Sequence, residues 1–500
     1  MQKYILGVDI GTGSVKAVAV NLSGQAFASA KKHYPVMQPE PGFAEQDPEL
    51  IWQAFLDCIR KVTTQLEQPP EAISLSCAMH SLILADAKGK PLTNMLTWAD
   101  TRSAAIAEKL RFSADGKSLY EQNGTPIYSM LPLSKIIWFK ENQEAVFKRA
   151  AKFVSIKELI WFRLFNHFQV DFSIASATGL FDIVNFRWNK STLKLAGIEE
   201  NRLSEPVSTT YMRQNAQLEI CRQLNLKLDT FWVIGANDGC LANLGSGANQ
   251  PGFAALTIGT SGAVRVASSK PLYNFEAMTF NYILDENTYI CGGAINNGGL
   301  VLNWLLEQFM LIKTVSADSY QQLFDAVKTV PAGSNGLLFL PYLTGERTPL
   351  WDSNSCGVFF GIKTDHQQSH FLRAALEGVC YAIRNVLEAV LQSAETLQEI
   401  RVSGGFTASE VWLQLLADIT GKKLVVVQTE DASAVGAAYL AIQTGRFAGF
   451  NLQDFSTQKA ILPDQKKHHL YTQYYQLFVN LYPNLAESMH QLTAINAGEE

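Results

Sequence analysis

The chain is 500 residues long, and 47% of its residues are hydrophobic while 17% are charged. A chain of this length exceeds what one hydrophobic core normally organises, so we expect a globular protein of two domains. The formal net charge of −5 is small and negative, which argues against nucleic acid or an anionic membrane as a partner.

The cysteines and the start of the chain indicate the compartment. Seven cysteines are scattered along the sequence, and no Cys-x-x-Cys pair occurs. This odd and dispersed set favours reduced thiols over a disulfide framework. The first residues lack the pattern of a signal peptide, and the sequence has no run of about 18 apolar residues, which a membrane-spanning helix requires. We therefore expect a cytoplasmic protein without a membrane span.

The first predicted elements alternate between strands and a helix. Residues 4–34 predict a β-meander, with apolar runs separated by turns. Asp47 and Pro48 then predict the N-cap and first turn of a helix, and apolar residues continue at helical spacing as far as Leu66. A short buried strand is expected at residues 73–77. This alternation favours an α/β domain over a helical bundle or a β-sandwich.

A turn rich in Gly, Ser and Thr stands between two apolar runs at two places in the chain. The copies span residues 9–18 and 257–266, and their Ile-Gly-Thr triplets are 258 − 10 = 248 positions apart. Each copy predicts a β-hairpin whose turn presents backbone N–H groups and hydroxyls. Because glycine permits close approach and consecutive N–H groups form an anion-binding concavity, the pair indicates two lobes that hold one polyphosphate.

Asp9 stands directly before the first of these turns, and Lys16 follows it. Mg²⁺ in a nucleotide site prefers one or two carboxylates together with waters and phosphate oxygens. Asp9 is therefore a candidate metal-associated carboxylate, with Lys16 near enough to balance phosphate charge. The alternative is a hairpin in which Asp9 only caps the turn, but the second copy of the pattern favours the nucleotide interpretation.

The middle of the chain contains the predicted lobe boundary. Residues 104–230 are rich in helical patterns and aromatic residues, and we interpret them as an elaboration of the first lobe. Residues 235–252 are rich in small residues, so we place the boundary there, with domains at 1–247 and 248–500. Asp238 is expected on a glycine-flanked loop in this segment. It is either the acceptor of a hydroxyl proton in phosphoryl transfer or a solvated residue of an Asx turn, and the local sequence favours the turn.

The second half repeats the pattern of the first. A meander is expected at 253–293, followed by a helix around 300–309, a strand at 424–427 and a helix at 434–442. Gly404 and Gly405 follow a strand-like run, where an adenine or ribose could lie against the backbone. A plain strand–turn–helix is an equally good interpretation of this segment.

Two other kinds of site are disfavoured by the sequence. The chain has neither a Walker Gly-x4-Gly-Lys-Ser/Thr motif nor a Gly-x-Gly-x-x-Gly motif after a strand, which argues against P-loop and Rossmann sites. His366 and His370 lie four residues apart on a predicted helix and could ligate a metal. No third ligand stands nearby, so a solvated helix face is favoured for this pair.

Further motifs accompany the two hairpins in a fixed order along the chain: Glu45 to Pro48, Met79 to Ser81, Trp98 to Arg102, Pro132 to Lys135, Asp238, Asn296 to Gly299, Gly345 to Arg347, Gly404, Gly405 and Ala434 to Ala438. Together these motifs resemble the FGGY carbohydrate kinases, which belong to the superfamily of actin-like proteins, sugar kinases and chaperone ATPases. The resemblance covers nearly the whole chain, and so many ordered motifs leave little room for chance.

The resemblance implies an α/β fold of two actin-like, ribonuclease-H-like lobes around a central cleft for ATP, Mg²⁺ and a sugar. Asp238 matches the family's catalytic base, which outweighs the local preference for a solvated turn, and Asp9 matches the metal-associated carboxylate. The residues implied to bind the nucleotide are Gly11, Thr12, Gly13, Ser14, Lys16, Gly259, Thr260, Ser261, Gly298, Gly404, Gly405 and Ser409. Many members carry a second threonine where this chain has Gly13, so the hydroxyl contact from that position is absent.

The implied substrate is a small sugar or sugar acid, phosphorylated on a hydroxyl. The residues implied to bind it are His80, Ser81, Trp98, Asp100, Arg102 and Asp238. The motifs at 79–81 and 98–102 and the run after Asp238 look most like those of the family's gluconate kinases, and xylulose kinases are the alternative. Members of the family are often dimers, so the resemblance allows a homodimer.

Gluconate differs from xylulose in its carboxylate, which needs positive charge or well-aimed donors in the pocket. Among the matched residues we expect His80, Ser81 and Arg102 to supply them, although Arg102 is an equally good structural partner of Asp100. Two other classes are a catalytically silent sugar-binding regulator and an actin-like or chaperone ATPase. The presence of both Asp9 and Asp238 argues against the silent regulator.

Overall fold

The computed structural model describes residues 3–392, 397–427, 431–452 and 459–497. The strands within this part of the chain are, in order, β1 (Ile5–Ile10), β2 (Ser14–Val20), β3 (Ala26–His33), β4 (Glu45–Gln46), β5 (Ala72–Cys77), β6 (Ile83–Ala85), β7 (Met95–Leu96), β8 (Lys152–Val154), β9 (Gln169–Asp171), β10 (Phe181–Asp182), β11 (Arg187–Trp188), β12 (Glu205–Val207), β13 (Met212–Arg213), β14 (Phe231–Asn237), β15 (Phe253–Ile258), β16 (Gly262–Ser268), β17 (Phe280–Asp285), β18 (Thr288–Ile295), β19 (Leu338–Pro341), β20 (Gly357–Phe360), β21 (Glu399–Ser403), β22 (Lys423–Val426) and β23 (Ala460–Ile461). The α-helices are, in order, α1 (Pro48–Leu66), α2 (Ala104–Arg111), α3 (Gly116–Asn123), α4 (Pro132–Asn142), α5 (Glu144–Arg149), α6 (Ile156–Phe165), α7 (Phe172–Ser176), α8 (Lys190–Ala196), α9 (Leu218–Gln223), α10 (Asp238–Gly245), α11 (Gly299–Trp304), α12 (Ala317–Lys328), α13 (Gln368–Leu391), α14 (Glu410–Thr420), α15 (Ala432–Gln443) and α16 (Gln465–Ala497).

The first half of the chain forms a mixed sheet with the strand order β13-β14-β5-β1-β2-β3. Strands β1 to β3 are the predicted meander and pair antiparallel, whereas β5 runs parallel to β1 and β14 runs parallel to β5. Helix α1 packs on β2 and β3 and begins where predicted, because the Asp47 carboxylate accepts a hydrogen bond of 2.8 Å from the Glu49 N–H. The carboxyl ends of the parallel strands meet at one edge of this sheet.

The second half forms a sheet with the order β17-β18-β16-β15-β21-β22-β23. Its hairpin β15–β16 is antiparallel, and β21 and β22 continue parallel to β15. The series β18-β16-β15-β21-β22 therefore has the same order and directions as β3-β2-β1-β5-β14 in the first sheet. The two Ile-Gly-Thr hairpins occupy the same place in each sheet, so the sequence repeat corresponds to a repeat of the fold.

Helices α10 and α15 pack on each other between the two sheets. Helix α15 contacts β1 and β5 of the first sheet, whereas α10 contacts β15 to β18 of the second. Glycines permit the close approach: a Cβ added at Gly436 would lie 1.9 Å from Leu241 O, and one at Gly7 would lie 1.8 Å from Ala434 O. This central layer joins the two lobes of the α/β fold.

The predicted elements at 4–34, 48–66 and 73–77 are confirmed. Residues 253–293 form four antiparallel strands, but β18 and not β17 pairs with β16, so this segment is not the meander expected there. The segment around Asp238, however, is not the expected loop, because β14 ends at Asn237 and α10 begins at Asp238. The small residues of this segment instead allow the backbone to pack closely against β5, since a Cβ at Gly235 would lie 1.7 Å from Leu75 O. The helix predicted to carry both histidines begins only at Gln368, so His366 precedes it.

Two expectations from the composition concern the cysteines, expected as free thiols, and the helices, none of which was expected to span a membrane. All seven cysteines are free thiols. None of the helices within the described ranges combines the length and apolar character needed to cross a membrane.

Candidate active site

A cavity of about 400 Å³ lies between the lobes and is lined by both halves of the chain. The first half contributes His80, Trp98 and Asp238 to its wall, and the second contributes the turn of the β15–β16 hairpin with Gly259 and Ser261. A smaller adjoining cavity is lined by the turn of the β1–β2 hairpin and shares the Trp98 side chain. The smaller cavity has a volume of only about 10 Å³, so the shared lining residues show that the two predicted phosphate turns lie near each other.

Asp238 is the first residue of α10 and follows the carboxyl end of β14. The helix begins here because the Asn237 side chain accepts a hydrogen bond of 2.7 Å from the Cys240 N–H. The Asp238 Oδ1 atom accepts a hydrogen bond of 2.7 Å from the Gly239 N–H. Burial, helped by the nearby Asp9 carboxylate and opposed by Arg265, raises the pKa of Asp238 to about 7. A carboxylate with this pKa can accept a proton near neutral pH.

The first phosphate turn is closed by a hydrogen bond of 3.0 Å from the Gly11 N–H to Ser14 O. Thr12 is held from two sides, since its Oγ1 accepts from Trp98 Nε1 at 3.0 Å and its carbonyl accepts from Gln46 Nε2 at 2.7 Å. A Cβ added at Gly13 would meet no atom of the described chain within 4 Å. The tip of this turn is thus open for an approaching anion.

The second phosphate turn is one residue shorter than the first and is closed by a hydrogen bond of 2.9 Å from the Gly259 N–H to Ser261 O. The Gly298 N–H donates to Thr260 O at 3.1 Å, and the Gly299 N–H donates to Gly259 O at 2.7 Å. These two hydrogen bonds hold the turn against the start of α11. A Cβ at Gly298 would lie 2.8 Å from Ser261 O, so a larger residue would push the turn away. A Cβ at Gly259 would meet no described atom within 4 Å.

Asp9 and Lys16 lie on the two strands of the first hairpin, directly opposite each other in register. The Asp9 Oδ1 atom accepts a hydrogen bond of 2.7 Å from Ser76 Oγ, whereas the Lys16 ammonium pairs with Asp431 at the start of α15. Burial raises the pKa of Asp9 despite the opposing effects of Ser76 and Lys16. A buried carboxylate of this kind is stabilised by a cation.

The residues around Asp9 fit the implied Mg²⁺. A hard cation takes oxygen ligands, and in nucleotide sites one or two protein carboxylates suffice because phosphates and waters complete the shell. The described residues contain no group of three or more His, Cys, Asp or Glu that could hold a metal by themselves. Asp9 would therefore hold the ion together with the nucleotide, and the histidine pair at 366 and 370 gives no metal cluster in the described chain.

The predicted adenosine-side turn follows β21 and lies against the second phosphate hairpin. Gly404 has a φ of +108°, and a Cβ there would lie 2.4 Å from Ile258 O, so glycine is required on both grounds. A Cβ at Gly405 would meet no described atom within 4 Å. The Ser409 hydroxyl caps α14 by accepting from the Trp412 N–H at 3.2 Å.

His80 lines the cavity, but its ring is neutral. Its Nδ1 lies 2.8 Å from Ala177 O and its Nε2 lies 3.0 Å from the Tyr282 hydroxyl. Burial, with the Lys135 ammonium next in importance, lowers the pKa of His80 to about 3. It therefore supplies no positive charge for a carboxylate. The Ser81 hydroxyl lines the smaller cavity and accepts from the Ile156 N–H at 3.2 Å.

Asp100 and Arg102 do not line the main cavity described above. The Arg102 Nε atom donates to both oxygens of Asp100 at 2.9 and 3.0 Å, its Nη2 atom also contacts Glu45, and its guanidinium carbon lies 3.6 Å from the centre of the Phe43 ring. Asp100 is fully buried, and its second oxygen also accepts from the Ala44 N–H at 2.8 Å. The structure agrees with the second of the two alternatives for Arg102, a structural partner of Asp100.

Two arginines, Arg265 and Arg347, line the cavity although the sequence gave no functional role to either. Arg265 is the charged residue of the otherwise apolar strand β16, and Arg347 follows the buried Glu346. Both guanidiniums line the cavity that contains Asp238. A lone arginine between apolar residues of a predicted buried strand was the available signal for Arg265, since such a position is rarely charged without a partner.

The fold and site define a two-lobed carbohydrate kinase. Residues 4–245 match the N-terminal domain of the FGGY family of carbohydrate kinases, and residues 254–444 match its C-terminal domain. The chain therefore belongs to the FGGY family.

Among individual relatives, the gluconokinase of Bacillus subtilis (strain 168) is 40% identical over 459 residues, which cover 90% of each chain. The crystal structure of gluconate kinase from Lactobacillus acidophilus superposes with a TM-score of 0.93 at 32% identity, covering 98% of this chain and 100% of that one. A ligand-bound xylulose kinase from the same organism superposes with a TM-score of 0.92, at 32% identity and the same coverage. The fold alone does not separate these two substrates.

Proposed function

We propose that the protein transfers the γ-phosphoryl group of ATP to the terminal hydroxyl of D-gluconate and forms 6-phospho-D-gluconate. The observation that carries this proposal is the position of Asp238, a half-buried carboxylate in the cavity that the second phosphate turn also lines. The 40% identity to a gluconokinase supports gluconate as the acceptor. Membership of the carbohydrate kinases supports ATP as the donor.

In this reaction Asp238 is the general base. The substrate oxygen attacks the γ-phosphorus, its proton moves to the Asp238 carboxylate, and the bond from the γ-phosphorus to the bridging oxygen breaks to release ADP. The pKa of about 7 suits this role, because the ionised form is available at neutral pH and holds the proton firmly enough. Asp238 thus removes the proton as the new ester bond forms.

The two phosphate turns hold the nucleotide. The backbone N–H groups and hydroxyls of residues 11–14 and 259–261 that do not close the turns themselves are the donors that would stabilise the charge of the transferring group. Gly404, Gly405 and Ser409 form the adenosine side, and residues 1–247 and 248–500 are the corresponding lobes. Mg²⁺, when bound near Asp9 with ATP, neutralises phosphate charge.

The neutral His80 ring orients the Tyr282 hydroxyl on the sugar side of the cavity. One ring nitrogen is hydrogen-bonded to Ala177 O, and the other faces the Tyr282 hydroxyl. The ring therefore fixes the direction in which that hydroxyl can donate. Trp98 supplies an exposed aromatic face at the entrance.

We place the reaction in the cytoplasm, which the free thiols support, and the homodimer stays a proposal from the family resemblance.

The test is ADP release by the purified protein with ATP and a panel of acceptors that includes D-gluconate, D-xylulose and no sugar. We expect kcat/KM for gluconate to exceed that for xylulose by at least about 10²-fold, because a site built for a carboxylate leaves polar groups unpaired with a neutral ketose. A better rate with xylulose would remove gluconate but keep the kinase assignment. ADP release that no sugar stimulates would remove both and favour an ATPase.

A further inference from the structure

We propose that Arg265 and Arg347 bind the carboxylate of the sugar-acid substrate and give the cavity its preference for acids over neutral sugars. The inference deepens the proposed function and rests on it, since it names the residues that recognise the acid group of the acceptor. It replaces the expected contribution of His80, whose ring is neutral, and of Arg102, whose guanidinium is already paired.

Arg265 is directed into the cavity from the middle of the second sheet. In β16 it lies opposite Ala255 on one side and Gly292 on the other. Its side chain reaches the N-terminus of α10, where a Cβ added at Gly239 would lie 3.1 Å from Arg265 Nε. The absence of that Cβ leaves room for the guanidinium beside Asp238.

The Arg265 guanidinium is partly buried beside Asp238, and one of its nitrogen atoms has no hydrogen-bond partner. Its Nη1 atom is inaccessible to solvent and donates to no atom of the described residues. Buried charged groups are paired in folded proteins because an unpaired one loses its hydration without replacement. An anionic ligand in the cavity would supply the missing acceptor.

Arg347 is held rigidly where it can act with Arg265. Its Nε atom donates to Asn296 Oδ1 at 2.8 Å and its Nη2 atom donates to Ile295 O at 3.0 Å. The buried Glu346 carboxylate fixes the segment by accepting from the Arg347 N–H at 2.8 Å. These bonds leave the other side of the guanidinium toward the cavity, which it lines together with Arg265.

The charge of the cavity favours an anion. Among the described residues that line it, the charged ones are Asp238, Arg265 and Arg347, so two cations face one carboxylate. Guanidinium groups bind carboxylates with paired, directional hydrogen bonds. A neutral acceptor would leave the buried Nη1 donor of Arg265 without a partner, which is the arrangement that discriminates most strongly between substrates.

The experiment compares D-gluconate with D-glucitol, which differs from it only by an alcohol in place of the carboxylate. In Arg265→Met and Arg347→Met we expect the ratio of kcat/KM for gluconate to kcat/KM for glucitol to fall by about 10²–10⁴, mainly through KM for gluconate. Arg265→Lys keeps the charge without the paired geometry and should fall in between. Arg222→Met is the matched control, because Arg222 is an exposed surface residue.

Equal losses for both acceptors, expressed in kcat, would mean that the arginines act on the transferring phosphoryl group, and would overturn the inference. Unchanged gluconate kinetics would overturn it as well. Binding separates this failure from that of the proposed function. If the wild-type protein does not phosphorylate gluconate, calorimetric titration with gluconate and glucitol still reports the preference: tighter binding of the acid that disappears in Arg265→Met supports the inference, and equal binding by wild type contradicts it.

Discussion

Burial sets the protonation state of the side chains around the cavity. It raises the pKa of Asp238 to about 7 and lowers that of His80 to about 3, because a low-dielectric environment disfavours the charged form of each. The Asp238 carboxylate can thereby accept a proton near neutral pH, whereas the His80 imidazole is a neutral hydrogen-bonding group. The positive charges of the cavity therefore lie on Arg265 and Arg347, because arginine keeps its proton when buried.

Replacing Asp238 by Asn should lower kcat by about 10²–10⁴ with little change in ATP affinity, since the amide keeps the shape but cannot accept the proton. The pH profile provides a second readout. The base works only when ionised, so kcat/KM of the wild type should rise with pH and level off above the pKa of about 7, and the variant should lack this acid limb.

Steady-state kinetics between pH 5.5 and 9 would measure both effects, with Asp229→Asn as a control on an exposed aspartate. Near wild-type turnover by the Asp238 variant, or an acid limb that persists in it, would show that another group takes the proton.

Asp9 was predicted from its local pattern before the first Gly/Ser/Thr turn, whereas Asp238 was assigned only through the family motifs, because its own surroundings favoured a solvated turn. The sequence could not separate the two roles of Arg102, since the bond to Glu45 joins positions 57 residues apart. It also gave no role to Arg265 and Arg347, which come from a strand and a distant loop and meet only in the folded chain.

The two hairpins are the elements to which we assign the phosphates of the nucleotide. Their turns were predictable because a Gly/Ser/Thr turn between alternating apolar strands is a short-range signal. The start of α10 was not predicted, since glycine, asparagine and aspartate also signal a loop. In the structure the same asparagine caps the helix, so the small residues mark a strand–helix junction packed against its neighbours.

The second turn allows a graded test of phosphate binding. Gly259→Ala and Gly259→Val should weaken the affinity for ATP analogues progressively, because each added carbon enters space that the phosphates need. Nothing in the described structure lies within 4 Å of the new Cβ, so the fold itself should tolerate both changes. Gly11 is a poorer site for this experiment, as its Cβ would lie 3.2 Å from Ser14 O within the same turn.

Calorimetric titration with a non-hydrolysable ATP analogue would measure this series, after thermal unfolding shows midpoints close to that of the wild type. Affinities that stay constant from glycine to valine would mean that the phosphates do not approach this backbone.

At the scale of the whole molecule, one fold unit occurs twice and the two copies face a common cleft. The equal strand order of the sheets explains why their hairpins meet there, and the α10–α15 layer sets their separation. The two-lobed fold followed from the internal repeat and the family motifs. The close packing of Gly436 on Leu241 did not, because it depends on contacts between residues almost 200 positions apart.

The most direct test of the account is the identity of the product formed from ATP and D-gluconate. We expect phosphorus and carbon NMR of the reaction mixture to show a phosphate monoester coupled to C6 of gluconate, formed by the wild-type protein and formed at least about 10²-fold more slowly by Asp238→Asn. Ester at another carbon would contradict the placement of the terminal hydroxyl at Asp238. Release of inorganic phosphate without any ester would contradict the kinase itself.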